Sequence, residues 1–173
     1  MAHAEAEFDK ALRLSPNSAD LLSIYAAWAS SYGKPEKGVE AALRAIRLNP
    51  QPPAYAFRTY RYTFFMAGRY DDALHFANRV PREACSSFDH VLRAAALAAL
   101  GRGEEARAAV AETIAQFPDI SAEGFAILDP VWNESERQRL VETMRKAGFP
   151  LCASADDFRN SPDLQRLPEC VGS

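Results

Sequence analysis

The chain of 173 residues is 48% hydrophobic and 25% charged, which is typical of a folded globular protein and excludes a largely disordered one. Its formal net charge of -3 disfavours nucleic-acid binding that depends on overall positive charge. No apolar run approaches the roughly 20 residues that a transmembrane helix needs, and the N-terminus does not resemble a signal peptide. We therefore expect a cytoplasmic protein with neither a nucleic-acid nor a membrane partner.

The first predicted helix covers residues 4–16. Ala4, Phe8 and Ala11 lie on one face at spacings of i, i+4 and i+7, and Pro16 stops the helix. This pattern is typical of the second helix of a helical pair whose first helix is missing. Repeat proteins normally cover such an unpaired apolar face with a cap. We interpret residues 1–16 as a half repeat and expect the chain to be a fragment of a longer protein.

Three predicted helix pairs follow over residues 17–118. The first pair comprises helices over 19–32 and 35–48, and Ser18 is the predicted N-cap of the first of these. The second pair comprises helices over 54–67 and 70–79. The third pair occupies residues 86–118, and its first helix covers 88–100. Prolines after each second helix break the pattern and separate one pair from the next.

A glycine ends the first helix of every predicted pair. Gly33 and Gly68 are 35 residues apart, and Gly68 and Gly101 are 33 residues apart, so the spacing averages about 34. After each glycine come a basic residue, acidic residues that favour a helix start, and small residues that let two helices approach closely. The pattern predicts an all-α fold of antiparallel helix pairs.

The regular spacing ends at Pro118. A short helix over 121–127 is predicted, followed by a longer amphipathic helix that starts near Asp129-Pro130 and ends at Gly148. Asn133 and Glu136 have the spacing of a capping box. We expect residues 119–149 to cap the last repeat. Residues 150–173 contain few apolar residues, so a loosely ordered tail is predicted, with at most one turn near 161–164.

The helix pairs resemble tetratricopeptide repeats over about residues 4–150. The resemblance is carried by RLSPNSAD at 13–20, GKPEKG at 33–38, AGRYDDAL at 67–74, and LVETMRKAGFP at 140–150 after LDP at 128–130. The order of segments is similar to the C-terminal repeat region of bacterial class III adenylate or guanylate cyclases and of related winged-helix regulators with TolB-like segments.

The resemblance implies a right-handed superhelix of helix pairs with a C-terminal capping helix. It also implies a regulatory module and not a cyclase, because the cyclase catalytic segment with its paired aspartates does not occur in this sequence. At Arg61 the family usually has a small residue. We therefore expect this arginine either to disturb helix packing or to point toward a groove.

Candidate catalytic residues do not form a convincing set. Ser86, Asp89 and His90 are neighbours in sequence, but residues at the start of one helix point in different directions and do not form a nucleophile triad. The acidic pairs at 71–72 and 156–157 are explained by helix starts. We expect no enzymatic activity and no cofactor.

The three cysteines, Cys85, Cys152 and Cys170, are far apart and odd in number. They indicate neither a disulfide framework nor a zinc site, so we interpret them as inert thiols, of which the last could be oxidised if exposed. No metal site is predicted.

An aromatic and arginine stripe on the helix over 54–67 is the candidate binding surface. Tyr55, Arg58, Tyr62 and Phe65 follow one another at spacings of 3, 4 and 3 and are predicted to share the exposed face. Phe57, Tyr60 and Phe64 are predicted to form the packed face. The full predicted groove comprises Tyr55, Arg58, Arg61, Tyr62, Phe65, Phe88 and Val91, flanked by Asp20, Ser23 and Ser30.

Exposed tyrosine, phenylalanine and arginine are enriched in binding hot spots. We therefore predict a non-catalytic scaffold that binds a protein or peptide in a concave groove. Two alternatives remain open: the C-terminal segment covers the stripe, or the stripe makes a homodimer contact. In the second case the chain would be a self-association module for an attached catalytic or DNA-binding domain.

Overall fold

The computed structural model describes residues 2–127, 133–154, 156–159 and 164–171. Within these residues the secondary structure is helical and contains no strand, which confirms the all-α prediction. No helix in the described part of the chain is long and apolar enough to span a bilayer. The α-helices are α1 (Ala2–Leu14), α2 (Ala19–Ser31), α3 (Pro35–Leu48), α4 (Ala54–Met66), α5 (Tyr70–Ala77), α6 (Ser87–Ala99), α7 (Gly103–Gln116), α8 (Ala122–Ile127) and α9 (Glu134–Ala147).

The helices divide into two compact units. The first unit, Met1–Val80, contains α1 to α5, and the second unit, Pro81–Ser173, contains α6 to α9 and the C-terminal segment. The division falls between the second and third predicted repeats.

The three repeated glycines form the same kind of turn. Gly33, Gly68 and Gly101 have φ angles of 72°, 71° and 76°, in the left-handed region that favours glycine. In each turn the residue after the glycine donates its N–H to the carbonyl five residues earlier, which closes a Schellman motif. The bonds are Lys34 to Ala29 (2.9 Å), Arg69 to Phe64 (2.8 Å) and Arg102 to Leu97 (3.0 Å). These local turns confirm the helix ends that the glycine spacing predicts.

Gly38 lies at a close approach of α3 to α2 and α4. A Cβ atom built at this position would overlap the hydroxyl of Ser30 and lie 2.7 Å from the carbonyl oxygen of Ala26. It would also lie 3.3 Å from a methyl group of Thr63 in α4. The prediction that small residues permit close helix contacts is confirmed at this position.

In the first unit α4 packs against α2, α3 and α5. Three aromatic residues of α4 surround Phe76 of α5, with ring centroids 6.5 Å (Phe57), 5.2 Å (Tyr60) and 5.6 Å (Phe64) away. These contacts confirm the predicted packed face of α4.

The predicted half repeat, α1, docks on α2 through one aromatic side chain. The ring of Phe8 lies 5.4 Å from that of Tyr25 and 5.0 Å from that of Trp28. Glu5 forms an ion pair with Lys34, which follows α2.

In the second unit α9 packs against α6, α7 and α8. Its buried apolar residues are Leu140, Val141, Met144 and Ala147, as the sequence predicts. The predicted capping box is present: Asn133 donates its N–H to Glu136 (2.9 Å), and Glu136 donates its N–H to the Asn133 side chain (3.0 Å). The helix therefore begins at Glu134, whereas the start predicted at Asp129-Pro130 lies outside the described residues.

The C-terminal segment differs from the prediction. Pro150 and Leu151 accept hydrogen bonds from the backbone at the start of α8, and Cys152 is joined to Cys170 by a disulfide. The prediction of inert thiols is therefore wrong for these two cysteines. The two cysteines are 18 residues apart in sequence, and that spacing alone does not indicate a pairing. The described residues 151–154 and 164–171 are held in place and are not loosely ordered, while the turn predicted near 161–164 lies mostly outside the described residues.

Candidate partner-binding surface

Two tyrosine hydroxyl groups join α2 and α4 on one face. The hydroxyl of Tyr55 donates to a carboxylate oxygen of Asp20 at 2.7 Å. About two turns further along α4 and about three turns further along α2, the hydroxyl groups of Tyr62 and Ser31 share a hydrogen bond of 2.9 Å. Spacings of three, four and seven residues put side chains on one side of a helix. We define the α2–α4 face as Asp20, Ile24, Ala27 and Ser31 of α2 with Tyr55, Thr59 and Tyr62 of α4.

Ile24 provides the apolar centre of this face. Its side chain is 53% exposed, and it lies one turn after Asp20 on α2. Tyr55, on the neighbouring helix, is 43% exposed. A single exposed isoleucine is ordinary in a protein surface. An isoleucine on the same face as two tyrosines held by hydrogen bonds is a surface of the kind found at binding hot spots.

The hydrogen bond to Asp20 also fixes the proton of Tyr55. This bond, together with burial and the nearby carboxylate charge, raises the pKa of Tyr55 to about 12. The hydroxyl is protonated at neutral pH, as in any tyrosine, and the raised pKa reflects its hydrogen bond to Asp20. A ring that is held in one orientation before binding loses less conformational freedom when a partner arrives.

A third hydrogen bond connects α2 and α4 inside the unit. The hydroxyl groups of Ser23 and Tyr60 are buried and share a bond of 2.7 Å, and Ser23 also donates to the Ala19 carbonyl at 2.8 Å. The prediction that Ser23 and Ser30 flank the binding groove is therefore wrong. Ser23 faces the interior, and Ser30 is buried where Gly38 approaches.

Only part of the predicted stripe of α4 lies at the surface. Tyr55 is exposed and Arg58 is half-buried, so both have surface that a partner can contact. Tyr62 is largely buried, whereas Phe65 and Arg61 have almost no exposed surface, and the Phe65 ring lies edge-on to that of Tyr70. At about 100° per residue, the seven residues from Tyr55 to Tyr62 bring the side chain within about 20° of the same direction, but ten residues turn Phe65 about 80° away. Spacing of 3, 4 and 3 therefore does not keep Phe65 on the face.

The last two predicted groove residues, Phe88 and Val91, belong to α6 in the second unit. Phe88 is half-buried, and its ring centroid lies 5.6 Å from that of Phe125. Val91 is completely buried. A role for these residues in partner binding stays a prediction.

Ser86 and Asp89 form a capping box at the start of α6, and His90 lies outside it. Asp89 accepts hydrogen bonds from both the backbone N–H (2.8 Å) and the hydroxyl (2.6 Å) of Ser86. His90 is buried, and its ring centroid lies 5.8 Å from that of Phe117. The bond from the Ser86 N–H is the one that a capping box requires, and the Ser86 hydroxyl adds a second bond to the same carboxylate.

The second unit contains a buried carboxylate that sequence reasoning does not single out. Glu123 of α8 is 0% exposed, and its two oxygens accept four hydrogen bonds from the C-terminal segment. These come from the backbone of Ala153 (2.9 Å) and Leu167 (3.0 Å) and from two guanidinium nitrogens of Arg166 (2.8 and 3.1 Å). The partners lie 30 or more residues away in sequence, so no local pattern indicates them.

A second buried carboxylate, Glu136, has a different environment. Burial raises its pKa to about 7, although the hydrogen bond from the Asn133 backbone acts in the opposite direction. Its other oxygen, Oε1, has no hydrogen-bond partner among the described residues. The charged form is therefore poorly stabilised in the folded state.

Comparison with known proteins adds no family assignment. A scan against protein-family models finds no match to this chain, and a search of curated proteins finds none either.

Proposed function

We propose that this chain is a non-catalytic protein-interaction scaffold built from tetratricopeptide repeats. It binds a peptide segment or a domain on the α2–α4 face. By its resemblance, it is the regulatory module of a cyclase-type or transcriptional signalling protein, and it acts in the cytoplasm. The observation that carries the proposal is the exposed Ile24 on a face whose tyrosines are already fixed by hydrogen bonds.

Three features support the repeat assignment. The glycine turns recur at intervals of 35 and 33 residues with the same hydrogen bonds. Gly38 permits the close helix contact that repeat packing needs. In the second unit α9 packs against α6 and α7 in the way that α4 packs against α2 and α3, as a capping helix in the place of a next repeat would.

The chemistry of the α2–α4 face defines the kind of partner. An apolar side chain of the partner would contact Ile24 and the exposed edge of the Tyr55 ring. Polar groups of the partner would approach Asp20 and Arg58 at the border of the face. A peptide with one apolar anchor beside polar residues fits this arrangement, because hot spots combine a desolvated centre with a polar rim.

Selection from a displayed library of random peptides tests the binding surface. We expect peptides selected on the wild-type chain to lose at least about tenfold in affinity for Ile24→Asp and for Tyr55→Ala, since tenfold corresponds to about 1.4 kcal/mol. Leu43→Asp is the matched control, because Leu43 is an exposed apolar residue of α3, outside the α2–α4 face. Selected peptides that bind all these variants equally would contradict the proposed surface, provided that circular dichroism shows the variants to be folded.

A second candidate function, self-association, is favoured by exposed leucines elsewhere in the first unit. Leu14 ends α1 and is 76% exposed, and Leu48 ends α3 at the equivalent repeat position and is also exposed. Exposed apolar residues at equivalent positions suit a contact between two copies. A dimer in light scattering that Leu14→Asp dissociates would support this function, whereas a monomer at high protein concentration would contradict it.

A further inference from the structure

The Glu123 carboxylate holds two separate stretches of the C-terminal segment against α8. One stretch, residues 151–154, contributes the backbone N–H of Ala153, and the other, residues 164–171, contributes Leu167 and Arg166. Arg166 also donates to the Ala153 carbonyl at 2.9 Å, so it connects the two stretches directly. Arg145 of α9 pairs with Glu169 at 2.8 Å on the outer side.

The charge of Glu123 is stabilised by these contacts. Burial alone would raise the pKa of the carboxyl group, but the hydrogen bonds from Arg166, Ala153 and Leu167 outweigh it, and the pKa is lowered. The same hydrogen bond stabilises the charged form of Arg166 and raises its pKa. The segment is therefore docked by an ionised pair, and loss of Arg166 from it would leave the buried charge of Glu123 without compensation.

The disulfide joins the same two stretches. Cys152 directly precedes Ala153, and Cys170 follows Leu167 by three residues. Both sulfur atoms and a carboxylate oxygen of Glu123 lie within 4.8 Å of one another. Cys170 is completely buried and Cys152 is half-buried. A covalent bond and a set of hydrogen bonds thus fasten the segment at one place.

This cluster of two sulfurs and a carboxylate has the composition of a metal site, but its donors are occupied. The sulfur atoms are bonded to each other and lack the thiolate charge that binds metal. The carboxylate already has a guanidinium group as its partner, which would repel a cation. The arrangement therefore favours a role for the disulfide in holding the segment.

We propose that the Cys152–Cys170 disulfide is a redox-controlled latch for residues 151–154 and 164–171. In the oxidised chain the segment is docked on α8. Reduction leaves the docking to noncovalent contacts, which are the hydrogen bonds of Glu123, the backbone bonds at the start of α8 and the Arg145–Glu169 ion pair, and the segment opens. Closing a loop of this length shifts such an equilibrium on the order of 100-fold, so loss of the cross-link has a measurable effect.

The reduction is a thiol–disulfide exchange with a dithiol. A thiolate of the reductant attacks the Cys152 sulfur, which is the more accessible one, and the S–S bond breaks. The released Cys170 sulfur takes a proton. The second thiol of the reductant then displaces Cys152, which also takes a proton, so the protein gains two thiols while the reductant becomes a disulfide.

The redox conditions of the cellular compartment determine whether the disulfide is formed. Cytosolic thiol systems keep most protein cysteines reduced, while oxidising compartments preserve disulfides. In a cytoplasmic protein the docked segment would therefore report oxidising conditions, and in an oxidising compartment the latch would remain closed.

Hydrogen exchange with mass spectrometry on the full chain tests the latch. The oxidised chain is compared with the same chain reduced by dithiothreitol and with the double variant Cys152→Ser, Cys170→Ser. We expect exchange at the amides of residues 151–154 and 164–171 to become at least about tenfold faster in the reduced chain and in the double variant, with α6, α9 and the first unit unchanged. Cys85→Ser, the control at the third cysteine, should still show the full redox difference.

Three results would overturn the proposal. Mass spectrometry of the non-reduced chain could show both thiols free, in which case no latch exists. Exchange could be equally slow in both redox states, in which case the noncovalent contacts hold the segment without the disulfide. Exchange could also rise throughout α6 to α9 on reduction, in which case the disulfide is a structural cross-link of the whole second unit.

Discussion

At the scale of single residues, Gly38 determines how closely α3 packs against α2. We expect Gly38→Ala to lower the free energy of unfolding by about 1–3 kcal/mol, because the added methyl group meets Ser30 and the Ala26 carbonyl and forces the helices apart. Gly103→Ala is the matched control, since the nearest atom to its Cβ is a side-chain nitrogen of Arg107 at 3.5 Å. We expect that variant to be more stable by about 0.5 kcal/mol. Urea unfolding measures the stability of both variants. A Gly38→Ala variant as stable as wild type would contradict the close helix contact at Gly38.

Glu136 is the residue from which we expect a pH dependence near neutrality. Its folded pKa of about 7 lies above the ordinary value, so the folded state binds a proton more tightly than the unfolded state between these two values. Stability therefore falls as pH rises from about 4.5 to about 7 and then stays level. Glu136→Gln keeps an oxygen for the Asn133 N–H and removes the charge. We expect this variant to be more stable than wild type by about 1–3 kcal/mol at pH 8, and by much less at pH 4.5.

Urea unfolding of the wild type and of Glu136→Gln, each at pH 4.5 and at pH 8, measures the difference in stability between the two proteins. A stability gap of the same size at both values would show that Glu136 is ionised throughout. Loss of the helix signal at both values would show instead that glutamine does not complete the capping box.

At the scale of helices, the hydrogen bonds between α2 and α4 differ in burial. The bond between Tyr60 and Ser23 is buried, so we expect Tyr60→Phe to cost about 1 kcal/mol, while Ser23 keeps its bond to the Ala19 carbonyl. Tyr55→Phe removes an exposed bond to Asp20, and we expect it to change stability by less than about 0.5 kcal/mol. Thermal unfolding of the two variants compares them directly. The reverse order would show that the exposed bond holds the helices together.

Helices and turns were predictable because their signals are local. The glycine turns, the Ser18 and Asn133 caps and the apolar face of α9 each depend on residues within one or two turns of a helix. The α2–α4 face was predictable only in part. Helical spacing predicts that Tyr55 and Tyr62 lie on one side of α4. Ile24 joins the same face only because α2 packs beside α4, which the sequence pattern does not show. A signal for it exists in the sequence, since Ile24 is an apolar residue outside the buried stripe of its own helix.

At the scale of the whole molecule, the sequence indicates regular helix pairs, and the structure has two compact units with a C-terminal segment fixed to the second. The small number of apolar residues in 150–173 predicts a loosely ordered C-terminal segment. A polar segment can nevertheless be ordered by a few buried charged contacts and a cross-link. Glu123 provides the contacts from 30 and more residues away, and cysteines 18 residues apart provide the cross-link. Such pairings depend on tertiary structure and are not visible in a local pattern.

We predict that the α2–α4 face binds a protein other than a second copy of this chain. The most direct measurement replaces Ile24 with the photoreactive residue p-benzoylphenylalanine in the full chain inside its own cells, irradiates, and identifies the cross-linked protein by mass spectrometry. The same replacement at Leu43 is the control. We predict one distinct partner that cross-links from position 24 and not from position 43. Cross-links only to another copy of the chain, or the same products from both positions, would contradict the claim.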